Sequence, residues 1–173
     1  MEPCRRNSII LRLILAALVI SGAAFYFGCA SSQNAQNNGS LVIRDTNSGR
    51  VYGSWPWGES PEKPMEFAIE FIHSVNQSPV REFFQIEDGT IRLMAVRFFS
   101  FGAGMRSEFE EGQTLSRDGD ALVISGFSTS FKKLNYIIGT VSDHLFIING
   151  ESNSLRELCG RNAHITISFE NGF

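Results

Sequence analysis

His73, Ser74 and Glu82 bring an imidazole, a hydroxyl and a carboxylate into one short stretch, HSVNQSPVRE. At the edge of a hairpin such a trio suits a ligand or partner surface. It suits hydrolysis poorly, because adjacent residues of a strand point to opposite faces and His73 then cannot activate Ser74. No GxSxG nucleophile elbow occurs anywhere in the chain. The simpler reading of His73 is a half-buried histidine hydrogen-bonded to the hairpin backbone. Gly102-Ala103-Gly104 forms a second candidate, since bare backbone can approach an anionic ligand closely. A phosphate loop also needs a lysine and a following helix, and neither is present here, so a strand end with positive φ angles is the simpler meaning.

The remaining polar groups are weaker candidates. His144 and His164 could join His73 as metal ligands only if three separate strands converged, and Asp143-His144 reads more simply as a turn. Glu108, Glu110 and Glu111 form an acidic run in a loop; a solvated face is the plain reading and weak calcium binding the other. Trp55 and Trp57 flank Pro56 either as a binding platform or as aromatic closure at one end of the fold. Cys159 reads as an inert, buried thiol, and no CxxC or His/Cys spacing suggests zinc. Neither a metal nor a cofactor is expected, and no catalytic residue is assigned.

The chain has 173 residues, 43% hydrophobic, 19% charged and 12% aromatic, with 15 basic and 18 acidic side chains. This is globular composition and excludes a disordered tail, a collagen-like repeat or a disulfide-dense miniprotein. Arg5, Arg6 and Arg12 lie at the start, so the rest is mildly acidic and lacks the basic footprint that binding nucleic acid requires. Those arginines precede an uncharged run, Leu13 to Phe27, of about 15 residues where an unassisted spanning helix wants about 20. A basic segment followed by a short apolar one is an export signal. It ends in Tyr26-Phe27-Gly28-Cys29-Ala30-Ser31-Ser32, the pattern of a lipoprotein processing site, which makes Cys29 a candidate for lipidation. A retained N-terminal anchor is the equal alternative. Both place the body outside the cytoplasmic membrane and tethered to it.

Three parts follow: Met1 to Ala30 as signal or anchor, Ser31 to Ser40 as a polar, flexible tether, and Leu41 to Phe173 as a single domain. Within the domain, Glu66 to Val75 alternates with period two, placing Phe67, Ile69, Phe71, His73 and Val75 on one face. Val80 to Glu87 and Thr90 to Phe101 are joined by Asp88-Gly89, a strong hairpin signal. The spacing predicts further strands at Leu41 to Arg44, Arg50 to Tyr52, Ala121 to Ser125, Tyr136 to Val141, Leu145 to Asn149 and Ala163 to Glu170. One helical turn is expected at Ser154 to Leu158, with Ser154 as N-cap and Gly160 as stop. Trp55 to Pro64 reads as a long connection and Gly102 to Gly119 as a mobile loop. An all-β fold results, an antiparallel β-sandwich or partly open barrel behind an N-terminal signal or anchor helix.

One combination carries more than its parts: a tryptophan-containing lead-in, then His73-Ser74-Val75-Asn76-Gln77-Ser78-Pro79-Val80 with Glu82, then Phe99-Ser100-Phe101-Gly102-Ala103-Gly104-Met105. In that order these motifs resemble the bacterial family of domain of unknown function 1850, over about Leu41 to Phe169. The resemblance implies a small exported or membrane-anchored protein associated with tripartite ATP-independent periplasmic transporters of the type served by TAXI-class solute-binding proteins. It implies a transport accessory that meets a permease or solute-binding subunit, with His73, Ser74, Pro79, Glu82, Gly102 and Gly104 as the candidate ligand or partner surface. A small-ligand-binding domain using the His73 hairpin and the Gly102 loop is the other reading, and enzymatic activity ranks last.

Overall fold

Asp88 and Gly89 both have positive φ, 49° and 73°, the conformation that a two-residue turn needs to match the twist of its flanking strands. That turn joins β4 (Pro79–Glu87) to β5 (Thr90–Phe98) at the middle of the fold. The computed structural model describes residues 39–57, 64–100 and 109–171, all within the unit Gln36–Phe173. The other strands among the described residues are β1 (Gly39–Asp45), β2 (Val51–Pro56), β3 (Glu66–Ile72), β6 (Thr114–Asp118), β7 (Ala121–Ser125), β8 (Ser130–Phe131), β9 (Lys133–Ile137), β10 (His144–Ile148), β11 (Glu151–Ser154) and β12 (His164–Asn171). The single helix among them, α1 (Leu155–Cys159), has Ser154 as N-cap and Gly160 as C-cap, the boundaries the sequence predicts.

The strands form two sheets, and every pairing is antiparallel. The smaller has the order β2-β1-β12-β9; the larger runs β11-β10-β3-β4-β5-β7-β6, with β8 also beside β5. Neither closes into a barrel. Their inner faces share one core, in which Leu41 and Ile43 of β1 and Ile165 and Ile167 of β12 meet Phe67, Ile69, Phe84 and Phe146 of the larger sheet. A satellite cluster of Val80, Phe98 and Ile124 lies on the larger sheet. The expected face of β3 is the observed one, with Phe67 and Ile69 buried.

Several expectations are corrected. β3 stops at Ile72, so His73 and Val75 belong to a turn and not to the strand. β5 stops at Phe98. The strand expected at Tyr136 to Val141 lies earlier, as β9: Ile138 is fully buried, yet its backbone N–H donates to Ala163 O and its carbonyl accepts from Asn162 outside the ladder. Part of the expected mobile loop is β6, whose TLSRD sequence is exposed at every position and shows no apolar alternation; pairing with β7 makes it a strand. Trp55 and Pro56 extend β2, and Trp57 continues the pairing through its N–H to Gly39 O at 2.8 Å. The expected N-terminal helix and Cys29 lie outside the described residues.

Candidate functional site

β3 delivers His73 to a turn that its own residues close. The His73 N–H donates to Ser78 O, and the Gln77 N–H donates to His73 O, both at 2.9 Å. The ring Nδ1 accepts from the backbone N–H of Val75 at 3.3 Å and of Asn76 at 3.4 Å. An accepting Nδ1 leaves the ring proton on Nε2. Gln77 has φ 50°, and its Nε2 donates to Ser74 O at 2.5 Å. Pro79 follows as the first residue of β4, where a missing N–H is tolerated. His73 is therefore the backbone-bonded, half-buried histidine of the simpler reading. Ser74 faces solvent, as does Val75, which is 62% exposed. Asn76 Nδ2 donates to Ser100 O at 3.3 Å and ties this turn to the chain beyond β5. Gly102 and Gly104 lie outside the described residues.

Glu82 is not part of that turn. In register it sits between Ile69 of β3 and Val96 of β5, on the row that faces the core. Tyr136 of β9 reaches across from the other sheet, and its hydroxyl donates to Glu82 Oε2 at 2.7 Å. Burial pushes the Glu82 carboxyl above its ordinary range, and the Tyr136 hydrogen bond opposes this. Burial, reinforced by the neighbouring Glu82, raises the Tyr136 phenol far enough to keep it a donor.

A pH dependence follows, and its sign is fixed. A carboxyl with a raised folded-state pKa favours folding below its unfolded value, about 4.3 for Glu, and loses that contribution as pH rises through the folded value. Glu82→Gln keeps an acceptor for Tyr136 and removes the titration. Its melting temperature is expected to exceed the parent's by a few degrees at pH 7, with the difference closing as pH falls toward about 4. Differential scanning calorimetry across that range checks this; a gap that does not change with pH contradicts it.

A second polar cluster was only partly visible in the sequence. Asp143 Oδ1 accepts from the N–H of His144 at 2.7 Å and of Arg156 at 3.0 Å, while Oδ2 accepts from Ser154 Oγ at 2.5 Å. Arg156 Nη2 donates to Gly139 O at 3.2 Å, and the Gly139 N–H donates to His144 Nδ1 at 3.4 Å. The His144 ring stacks on Phe71, centroids 5.5 Å apart, and meets the Tyr136 ring at 6.1 Å. Burial lowers the His144 pKa; Asp143 opposes the shift and Arg156 adds to it. Asp143 and Ser154 were legible as turn and cap residues, but not their contact across 11 positions.

His164 lies exposed at the start of β12, paired with Ile137. Among the described residues no three His, Cys, Asp or Glu side chains come together as a metal site. Burial pushes the Cys159 thiol up to about 11, with nearby Asp45 adding to it, which suits an unreactive residue. Trp55 packs on Phe146 at 4.6 Å and Trp57 meets Phe169 edge-on at 5.4 Å, so both close the core.

Two hollows adjoin these elements. The larger, about 670 Å³, is lined by Ala68, Phe83, Met94 and Ile147 with Pro56 and Trp57. Its charged groups already have partners: Arg81 pairs with Glu70 at 2.7 Å, and Glu66 accepts from Gln85. The smaller, about 340 Å³, lies between β9 and the inner face of β4 and β5, with Glu82 and Tyr136 in its lining. The chemistry therefore favours the smaller one.

These features define an all-β domain of antiparallel sheets in which, among the described residues, no histidine is hydrogen-bonded to a serine or cysteine side chain. Residues 67–155 match the model of the family described as domain of unknown function (DUF1850), and the chain belongs to that family. The match runs from β3 to the start of α1 and takes in both the His73 turn and the Glu82–Tyr136 pair. None of the curated proteins matches the chain. No solved structure matches it either.

Proposed function

We propose that this protein is a membrane-tethered, extracytoplasmic interaction module, an accessory of a secondary solute transporter of the tripartite ATP-independent periplasmic type, with no catalytic role of its own. The observation that carries this reading is the His73 turn. Its imidazole is engaged in holding the loop, so what it offers outward is a fixed shape bearing Ser74 and Val75, as a docking surface requires and a catalytic base does not. Supporting it are the basic-then-apolar segment from Arg5 to Phe27, Cys29 as a lipid attachment point or a retained anchor in its place, and the polar stretch to Ser40. Among the described residues no helix is long and apolar enough to cross a membrane.

The placement of the turn adds to this. A Cβ at Gly39 would lie 2.1 Å from the Phe169 ring and one at Gly89 4.0 Å from it. The chain thus enters the sheets at the Asp88-Gly89 end of β4. The His73 turn is at the other end, roughly 30 Å away along a nine-residue strand. It lies away from Gly39 at the start of β1, and its exposed Ser74 and Val75 are the surface offered to a permease or solute-binding subunit.

Crosslinking in native membranes, followed by purification of the tagged chain and mass spectrometry, tests the reading. A transporter subunit is expected with the parent and reduced at least tenfold with His73→Ala, which frees the Val75 and Asn76 amides and loosens the turn while the body still unfolds in one cooperative transition. Recovery of the same partners by parent and variant, or of no transporter component, would refute it.

A further inference from the structure

We propose that the hollow between β9 and the inner face of β4 and β5 is a binding site for a small organic ammonium ion. Its space is about 340 Å³, at the small end of ligand pockets. Glu82, Tyr136, Lys133 and Asn135 provide its polar lining, Asn135 Oδ1 already accepting from Thr166 Oγ1 at 2.9 Å, and Phe84, Leu93, Phe131 and Leu134 its walls. Glu82 Oε2 is held by the Tyr136 hydroxyl. Oε1 has no hydrogen-bond partner among the described residues, yet it is not a sealed atom either, since Arg156 Nε alone among them is both buried and unpartnered. Oε1 is therefore accessible, and Glu82 is among the residues that line the hollow.

The missing partner is a cation. Glu170, Glu70, Glu87 and Asp118 each have an arginine; Glu82, the carboxyl pointing into the core, has none among the described residues. A carboxyl away from water needs a positive charge or a proton beside it. The aromatic faces of Phe84, Phe131 and Tyr136 also attract cations, and attract them more strongly where water is excluded. Together a carboxylate, three aromatic rings and two leucines match a charged nitrogen on a short apolar body. Lys133 adjoins the hollow with the same charge as the ligand, but it is exposed, where water and salt screen it.

The test is isothermal titration and thermal melting of the full chain in detergent, with n-butylammonium and choline chlorides as probes, n-butyrate as the opposite charge, and sodium chloride to match ionic strength. Saturable binding with a rise in melting temperature is expected for at least one ammonium probe and not for n-butyrate. Glu82→Gln, which preserves the acceptor for Tyr136, is expected to weaken binding at least tenfold. Leu93→Trp, which fills the hollow while leaving Glu82 in the chain, is expected to abolish it. No saturable binding of either ammonium, undiminished binding in Glu82→Gln or in Leu93→Trp, or tighter binding of n-butyrate would overturn the proposal.

Discussion

Phe146→Ala is expected to lower the free energy of unfolding by about 3–5 kcal/mol. Phe146 is fully buried in β10, a strand flanked by β3 and β11, and its ring meets Trp55 from the other sheet at 4.6 Å and Phe67 at 5.7 Å. Truncation removes both ring contacts, each worth about 0.5–1.5 kcal/mol beyond the area buried. It also leaves a space that cannot collapse, because ladders on both sides hold the neighbouring backbones. Domains of this kind have about 5–15 kcal/mol in all. Urea unfolding followed by tryptophan emission measures the loss, with Trp55 reporting directly on the lost contact. Phe146→Leu, which retains most of the volume, is expected to cost about 1–1.5 kcal/mol. A loss below about 1 kcal/mol for the alanine variant would show that the two sheets do not depend on this contact.

Asp143→Ala is expected to cost about 3 kcal/mol, the net worth of two or three hydrogen bonds to a charged acceptor. One carboxylate accepts from His144 N–H, Arg156 N–H and Ser154 Oγ, and so fixes the β9–β10 connection to the start of α1. Its removal leaves those donors without their acceptor and takes away the charge that holds the His144 pKa up against burial. Hydrogen exchange is therefore expected to quicken at the His144 and Arg156 amides, while β4 and β5 keep their protection. An NMR titration of His144 is expected to move to lower pH. Asp143→Asn, with one oxygen left, falls between. Unchanged exchange at both amides would mean that the connection is held by Arg156 and Gly139 instead.

These two residues show how far the chain could be read in advance. Phe146 belongs to a predicted strand because LFII is a short apolar run, and Asp143 to a predicted turn because Asp is a turn former. The Asp88-Gly89 hairpin, the inward face of β3 and the Ser154 cap were equally legible, since each depends on neighbours close in sequence. The polar edge strands β6 and β11 were not: TLSRD and ESNS carry no apolar alternation, and a partner strand alone makes them strands. For the same reason His73 was placed at the end of a strand, whereas its own ring nitrogen holds the chain in a turn.

The sequence by itself determined the all-β class, the inward face of β3 and a leading segment with the pattern of an export signal, all of which follow from periodicity, turn chemistry or composition acting over a few residues. The family followed from the order of its motifs, which the match over residues 67–155 bears out. Only the tertiary structure decided that Glu82 leaves the His73 motif and turns inward. Its partner, Tyr136, is 54 positions away on the other sheet, and strand alternation says that a residue faces one side without saying whether that side is water or core. Packing one sheet on the other made that choice. It placed an acidic side chain where burial raises its pKa and where, among the described residues, no cation stands beside it.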